Sequence, residues 1–252
     1  MEQIRDGKMK KAILGLLLLS AWCAAAEPMG KVLPVTNYLE VTTAGFKCTF
    51  FPKHMFPVWF KTPEGKAYPE IVRFLDRAVI DRTAYWLYAD LWAEQQVLVN
   101  TESEFAIRCT GVYCHVEGDK VAPGGLKAVY TYEFRKDSPT IRITADITRT
   151  GTEPMNLVFL QPAWSMKLDF DEIRRNGKRV NLSPGHGFQK AKSATFVKDG
   201  LAVTVNFNNS DPIVWARYKM KDGFSSILTF LRTAVTGKRY HLTGYLTVSP
   251  VK

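Results

Sequence analysis

The feature of this sequence that most limits its fold is a two-residue alternation of apolar and polar side chains. It is clearest over residues 140–149, where isoleucine or alanine at every second position alternates with charged and hydroxyl residues. Successive side chains of a strand point to opposite faces, so the pattern predicts a strand with one buried and one wet face. Similar stretches predict further antiparallel strands over residues 38–51, 84–92, 104–114, 126–134, 156–164, 194–197, 201–207, 213–218, 226–232 and 239–248.

Turn-forming residues separate these stretches. Asn176-Gly177 lies between two short alternating runs and predicts a two-residue hairpin, because both residue types tolerate positive φ. Lys198-Asp-Gly200 predicts a second tight turn. Only residues 69–80 have apolar side chains at helical spacing behind a proline, and they predict one helix.

Length and composition favour one large domain. The chain has 252 residues, of which 46% are hydrophobic and 23% are charged, as in ordinary folded proteins and unlike disordered ones. No linker, charge block or internal repeat divides the chain after its first 26 residues. We therefore predict an all-β fold, a single domain over residues 27–252 built as an antiparallel two-sheet β-sandwich with little helix.

Residues 1–26 are typical of a secretory signal peptide. Lys8, Lys10 and Lys11 precede an apolar run over residues 12–25, and residues 24–26 are three alanines that suit cleavage. The run of about 14 residues is shorter than the roughly 20 that span a bilayer. We expect a bacterial protein that is secreted or periplasmic and keeps no stable membrane span after cleavage.

The net charge favours an anionic partner. Residues 1–26 carry four basic and two acidic residues, so the remaining chain has 30 Lys and Arg against 22 Asp and Glu, a net charge of +8. Such a field attracts any polyanion, and it also serves solubility. The basic residues are scattered and form no tract of the nucleic-acid-binding type, so we expect an anionic polysaccharide or oligosaccharide and no nucleic acid.

Three cysteines follow the leader, namely Cys48, Cys109 and Cys114. In an oxidising compartment we predict a disulfide between Cys109 and Cys114, with Cys48 buried and free. A zinc site at Cys109, Cys114 and His115 would need further ligands at zinc-site spacing, which the sequence lacks. We expect no metal and no cofactor.

Two segments carry a resemblance to a known fold. The first is residues 39–52 with the following residues 56–65, and the second is the hairpin of residues 128–143. In this order they resemble the two-sheet fold of galactose mutarotases and the β-supersandwich domains of several polysaccharide lyases and glycoside hydrolases. The resemblance covers roughly residues 38–250. It implies a supersandwich-type fold that binds or processes carbohydrate.

The same resemblance argues against aldose epimerase activity. Mutarotases use a His general acid and a Glu general base on one concave sheet. The stretches around His115, His186 and His241 do not match the motifs of that family, and no Glu lies in a late strand.

Three residues are catalytic candidates. His186 lies in Ser183-Pro-Gly-His-Gly187, a predicted loop where a near-neutral pKa suits proton transfer, although a solvated loop histidine is the commoner case. Elimination on a uronate needs a base and a group that neutralises the carboxylate. Tyr132 and Arg142 lie on adjacent predicted strands and suit those roles, against the alternative of a merely solvated face. Further candidates on the same two strands are Tyr130, Glu133 and Asp146.

Aromatic residues are candidates for carbohydrate binding. Trp86, Tyr88 and Trp92 have the even spacing that places side chains on one face of a strand, which suits sugar stacking and equally suits a core. Two further segments pair a tryptophan with a polar residue and suit sugar binding better. They contain Gln161 with Trp164, and Trp215 with Arg217.

Two functions follow as hypotheses. The first is an exported carbohydrate-binding or carbohydrate-active protein, and the second is a non-catalytic envelope module that binds a protein partner. Whether the chain is an enzyme stays open. A lyase is favoured over an epimerase or a hydrolase, because the sequence shows no convincing pair of facing carboxylates.

Overall fold

The computed structural model describes residues 27–65, 67–68, 73–87, 93–115, 120–151, 157–166, 171–180, 189–207, 213–219, 225–230 and 239–251. Within these ranges every regular element is a β-strand and every strand pair is antiparallel, which confirms the all-β prediction. The strands form sheets of nine, six and five strands, so a third and smaller sheet joins the two that were predicted. None of the described residues forms a helix with the length and hydropathy of a membrane span.

The nine-stranded sheet contains the long central hairpin of the chain. Its strands are β8 Glu94–Asn100, β9 Glu104–Val112, β10 Leu126–Arg135, β11 Thr140–Arg149, β13 Glu172–Arg175, β14 Lys178–Arg179, β16 Ser193–Lys198, β17 Leu201–Phe207 and β20 Arg239–Pro250. Their spatial order is β14-β13-β16-β17-β20-β11-β10-β9-β8. In β10 and β11 every second residue is buried, as the alternation predicts.

The two other sheets are built from shorter strands. The six-stranded sheet contains β6 Arg73–Ile80, β7 Thr83–Trp86, β12 Leu157–Met166, β15 Gln189–Ala191, β18 Ile213–Lys219 and β19 Ser225–Phe230, in the order β15-β18-β19-β12-β6-β7. The five-stranded sheet contains β1 Gly30–Val32, β2 Leu39–Thr42, β3 Lys47–Phe50, β4 Pro57–Lys61 and β5 Ala67–Tyr68, in chain order.

Two sequence predictions of local structure are wrong. The helix predicted over residues 69–80 is the strand β6 in its described part, because pairing with β12 on one side and β7 on the other outweighs the helical spacing. Residues 38–51 form two strands instead of one. The hydroxyl of Thr43 accepts a hydrogen bond from the amide of Phe46 at 3.1 Å and closes the turn between them.

The predicted turns are confirmed. Asn176 and Gly177 have φ values of 49° and 78°, and Asp199 and Gly200 have 49° and 79°. Two consecutive residues with positive φ match the right-handed twist of the flanking strands. These turns join β13 to β14 and β16 to β17, respectively.

Aromatic side chains hold the inner face of the nine-stranded sheet against the rest of the protein. The rings of Phe50 and Tyr132 lie 5.5 Å apart, and Phe134 lies 6.1 Å from Phe50 and 6.5 Å from Phe46. Ala78 and Ile80 of β6 belong to the same buried cluster. Because this face is closed by the core, any functional side chains of these strands must lie on the opposite face.

Candidate functional site

The outer face of the nine-stranded sheet is its surface on the side away from the aromatic core. Strands β9, β10, β11 and β20 present half-buried and exposed residues there. They are Ala106, Arg108, Thr110, Lys127, Val129, Thr131, Glu133, Arg142, Thr144, Asp146, Thr148, Arg239, His241, Thr243 and Tyr245. Most of these side chains are polar, so the face is rich in donors and acceptors.

A cleft of about 390 Å³ opens at one end of this face. Strand register places Ala106, Glu133, Arg142 and Tyr245 side by side on four adjacent strands, and all four line the cleft. Arg142 Nη1 donates to Glu133 Oε2 at 2.6 Å, and about half of each side chain is exposed. The cleft therefore offers a fixed cation, a carboxylate and a phenol within one concavity.

A second polar cluster lies further along the same strands. Asp146 Oδ1 accepts hydrogen bonds from Arg239 Nη2 at 2.7 Å, from Arg239 Nε at 3.1 Å and from His241 Nδ1 at 3.0 Å. Thr243 Oγ1 lies 3.4 Å from His241 Nε2. An ionised carboxylate only accepts, so His241 Nδ1 carries a proton and donates it to Asp146, and Nε2 points toward the Thr243 hydroxyl.

The charge of Asp146 is fixed by this cluster. Partial burial raises the pKa of the Asp146 carboxyl group, but the hydrogen bonds from His241 and Arg239 outweigh it and the pKa is lowered overall. Asp146 thus stays ionised at neutral pH and holds the imidazole and the guanidinium in place. This arrangement can bind an anionic group or move a proton at His241 Nε2.

A row of hydroxyl groups separates the cleft from the Asp146 cluster. Thr131, Thr144 and Thr243 are register partners on β10, β11 and β20, and Arg108 on β9 continues the row. Hydroxyl and guanidinium groups are the partners that sugar hydroxyls use in protein sites. The outer face therefore carries polar groups along its whole length.

The structure divides the sequence-predicted catalytic residues. Arg142 lines the cleft, but Tyr132 lies on the opposite face of the hairpin, fully buried, and its hydroxyl donates to the Met55 carbonyl at 3.0 Å. Register pairs Arg142 with Glu133, and Tyr132 with Ile143. A phenol inside the core does not reach a ligand, so its position does not support the catalytic role predicted for Tyr132. His186 lies outside the described residues.

The predicted sugar-binding residues belong to another sheet. Trp86 ends β7 and is half-buried, and the backbones of Trp164 and Trp215 are both register partners of Thr229. Gln161 is paired with Arg77, and Arg217 with Ile227. The six-stranded sheet thus contains these positions in three rows, namely Trp86 with Gln161, Trp164 with Trp215, and Arg217. They lie in a different sheet from Arg142, and their sugar-binding role stays a prediction. Trp92 lies outside the described residues.

The predicted disulfide is wrong, because Cys109 and Cys114 are free and buried thiols, as is Cys48. Strand β9 runs on to Val112, and Cys114 forms extended bridges with Trp86 and Val121. Five residues of extended chain span about 16 Å, whereas a disulfide needs Cα atoms within about 7 Å. Burial raises the pKa of the Cys109 thiol to about 12, so it has little thiolate character.

No metal centre is evident in the described ranges, where no three His, Cys, Asp or Glu side chains gather as ligands. His115, which follows Cys114 in the chain, packs its ring near Tyr85 at 6.4 Å and donates its backbone amide to the Lys120 carbonyl. The donors of the outer face are mostly hydroxyl, guanidinium and ammonium groups, which do not suit a cation.

Sequence reasoning missed the part of the outer-face site that lies on β20. Arg239, His241 and Tyr245 each occupy a polar position of this alternating strand, so their face was predictable. Their proximity to Asp146 and Arg142 depends on β11 pairing with β20, which is about 95 residues away along the chain. Alternation gives the face of a residue but not its neighbours.

Comparisons with known proteins agree with the architecture. No protein-family model and no curated protein matches the sequence. An α-mannosidase from Enterococcus faecalis V583 superposes with a TM-score of 0.58 at 9% identity, covering 86% of this chain and 30% of the mannosidase. An α-galactosidase from Lactobacillus brevis superposes with a TM-score of 0.52 at 12% identity, covering 87% of this chain and 40% of the galactosidase. A galactose mutarotase-like protein from Lactobacillus casei superposes with a TM-score of 0.52 at 11% identity, covering 84% of this chain and 99% of that protein.

These similarities define the class of fold. The chain has the galactose mutarotase-like fold, as the resemblance in the sequence implies. It spans less than half of the mannosidase and the galactosidase, and nearly the whole of the mutarotase-like protein. Identities near 10% show the fold alone, so the residues of the outer face must carry the functional argument.

Proposed function

We propose that this protein is an exported carbohydrate-binding protein whose ligand lies on the outer face of the nine-stranded sheet. The cleft lined by Arg142, Glu133 and Tyr245 carries the proposal. It joins an aromatic ring, a cation and a carboxylate, which are the groups that hold a sugar ring and its hydroxyls. The occurrence of the fold in a mannosidase and a galactosidase supports the same ligand class.

Two finer parts of the proposal rest on the sequence. The leader-like residues 1–26 support export, with release into the periplasm or the medium. The net charge of +8 on the remaining chain supports an acidic polysaccharide or oligosaccharide over a neutral one.

Among enzyme classes, the described residues favour a lyase over a hydrolase. Hydrolysis uses two carboxyl groups that flank the glycosidic bond. Here Glu133 is bound by Arg142 and Asp146 is bound by Arg239, so both carboxylates are engaged by arginines. Elimination instead needs a base beside a cation, and His241 beside Arg239 meets that requirement.

The second candidate function is binding of a protein partner at the edge strand β8. Val97, Leu98 and Val99 are 48%, 38% and 38% exposed there, at the end of the nine-stranded sheet. An apolar edge strand is a template for pairing with a strand of another protein. The register shift between Val97 and Val99 disrupts the ladder, which makes this edge a poorer template.

Native affinity electrophoresis of residues 27–252 tests the first proposal. The gels contain neutral or acidic polysaccharides at low and high salt, and the variants are Arg142→Gln and the matched control Arg179→Gln on edge strand β14. A charge-assisted hydrogen bond contributes about 1.5–3 kcal/mol, so Arg142→Gln should weaken binding about tenfold or more. Arg179→Gln should leave it unchanged.

The proposal fails if no glycan retards the protein. It also fails if every polyanion retards all variants equally and salt abolishes the effect, because that is non-specific attraction. In either case, comparing the proteins captured in a pull-down by the wild type and by a Val97→Lys variant would test whether edge strand β8 binds a protein partner.

A further inference from the structure

We propose that Lys127, Thr148 and Arg239 form an anion subsite for the carboxylate or sulfate group of an acidic sugar, and that the ligand is an oligosaccharide reaching from this subsite to the cleft. The inference rests on the proposed function, since it names the ligand class and its position on the same face. It adds a second point of attachment that the cleft alone does not provide.

Strand register brings the three residues together. Lys127 on β10 is paired with Thr148 on β11, and Thr148 is paired with Arg239 on β20. Neighbouring strands are about 4.8 Å apart, so the Cα atoms of the two cationic residues lie about 10 Å apart with a hydroxyl between them. Both side chains are long enough to converge on one anion above Thr148.

Arg239 is oriented for this role and is still available. Its Nε and one N–H of its Nη2 donate to Asp146 Oδ1, and its side chain is 68% exposed. Within the described residues Nη1 has no partner, so it can donate to a ligand. A guanidinium held by one carboxylate presents its remaining donors in a fixed direction, which suits a planar carboxylate or a sulfate.

The charge balance differs between the end of the outer face that carries the proposed subsite and the end that carries the cleft. Around the cleft, Arg142 is matched by Glu133, and Arg135 lies 3.7 Å from Glu104. In the other half the cations exceed the carboxylates. The cations are Arg108, Lys127 and Arg239, and the outer-face carboxylates are Asp146 and Glu94.

Two of these cations have no counterion among the residues that the structure describes. In the part of the chain that the structure describes, neither Arg108 nor Lys127 forms an ion pair, whereas Asp146 is shared by Arg239 and His241. Lys127 is a half-buried residue with no counterion among the described residues, so its ammonium group gains from an anionic ligand. The excess positive charge therefore lies where the subsite is proposed.

The length of the ligand follows from the separation of the two ends. Arg142 and Thr148 are six residues apart on β11, which is about 20 Å along a strand. Between them lie the row of Thr131, Thr144 and Thr243 and the imidazole of His241. One sugar ring cannot reach both ends, but a chain of rings with hydroxyls along it can contact the whole path.

Titration calorimetry tests the inference on residues 27–252 with defined probes. These are oligogalacturonates, alginate oligosaccharides and chondroitin sulfate oligosaccharides of increasing length, with methyl-esterified oligogalacturonates and cello-oligosaccharides as uncharged counterparts. The variants are Lys127→Gln and Arg239→Gln, with Lys192→Gln and Arg179→Gln as matched controls.

We expect affinity for at least one acidic series to rise with length until the chain spans both ends of the face. Lys127→Gln and Arg239→Gln should each weaken that binding about tenfold and remove the advantage over uncharged probes. Arg239→Lys should restore only part of it, because the forked donor geometry is lost. The two controls should bind like the wild type.

Other outcomes separate the two proposals. Uncharged and acidic probes that bind equally well, or variants that bind acidic probes like the wild type, would overturn the anion subsite while carbohydrate binding stands. Affinity that does not depend on length would overturn the two-ended ligand. If no acidic or uncharged probe binds, both the subsite and the proposed function fail.

Discussion

The two faces of the β10–β11 hairpin have opposite chemistry, although they alternate along the same two ten-residue strands. The inner face buries Tyr130, Tyr132 and Phe134 among other aromatic rings, and the outer face carries Glu133 and Arg142 in a cleft. Adjacent positions in one strand thus serve stability and recognition separately. Because the core residues and the cleft residues lie on opposite faces, mutations on the two faces should have separable effects.

The largest effect is expected from Tyr132→Ala on the inner face. Truncating a fully buried aromatic residue costs about 3–5 kcal/mol, and here the hydrogen bond to Met55 is lost as well. Denaturant unfolding measures the change. Tyr132→Phe should cost only about 1 kcal/mol, since it removes the hydrogen bond and keeps the ring. A stable Tyr132→Ala variant with altered glycan binding would contradict the assignment of stability to the inner face and of binding to the outer face.

A smaller loss of stability is expected from Gly111→Leu on β9. A side chain at this position would meet Met55 Sδ at 2.8 Å and Leu87 Cδ1 at 3.3 Å. Overpacking of this kind costs about 1–3 kcal/mol. Thermal unfolding measures it, with Thr110→Leu on the outer face as the control that should be near neutral. Equal destabilisation by both would show that the faces are not packed differently.

Asp146→Asn should change stability by less than about 1 kcal/mol, because its partners are largely exposed. The pKa of Asp146 is lowered in the folded protein, so its ionised form contributes stability above the usual carboxyl pKa near 3.9, and this contribution is lost as the pH falls. Unfolding followed between neutral and acidic pH should show a smaller acid-dependent loss in the variant. An identical pH profile would mean that the cluster is not formed in solution.

No effect is expected from reductant on thermal stability. Cys109 faces the core next to the exposed Arg108, and the structure has free thiols at positions 48, 109 and 114. Alkylating reagents should therefore leave these three thiols unmodified until the protein unfolds, as mass spectrometry can show. A drop in melting temperature on reduction would restore the disulfide predicted from the sequence.

The sequence predicted the face of the sheet on which a side chain lies better than it predicted the partners of that side chain on adjacent strands. The alternation in residues 140–149 placed Arg142 outward and Ile143 inward, and Asn176-Gly177 predicted its hairpin, because both signals are local. Tyr132 was grouped with Arg142 because the register of β10 against β11 was not known. The strand at residues 73–80 was taken for a helix because its stability comes from partners distant in sequence.

The candidate site was less predictable than the fold for the same reason. Asp146 and His241 are both visible as polar positions in strands, but only the pairing of β11 with β20 brings them to 3.0 Å. The tryptophans favoured for sugar binding were chosen by residue type, by spacing and by polar neighbours in the same segment, which are all local signals. Strand pairing places them in the six-stranded sheet, apart from Arg142.

Calorimetry of glycan binding by Arg142→Gln and Trp215→Phe tests most directly whether the nine-stranded sheet is the binding surface. The glycan is the one that most retards the wild type in affinity electrophoresis. The account predicts that Arg142→Gln weakens binding about tenfold or more while Trp215→Phe binds like the wild type. The opposite result, with binding lost in Trp215→Phe and kept in Arg142→Gln, would contradict it and move the site to the six-stranded sheet.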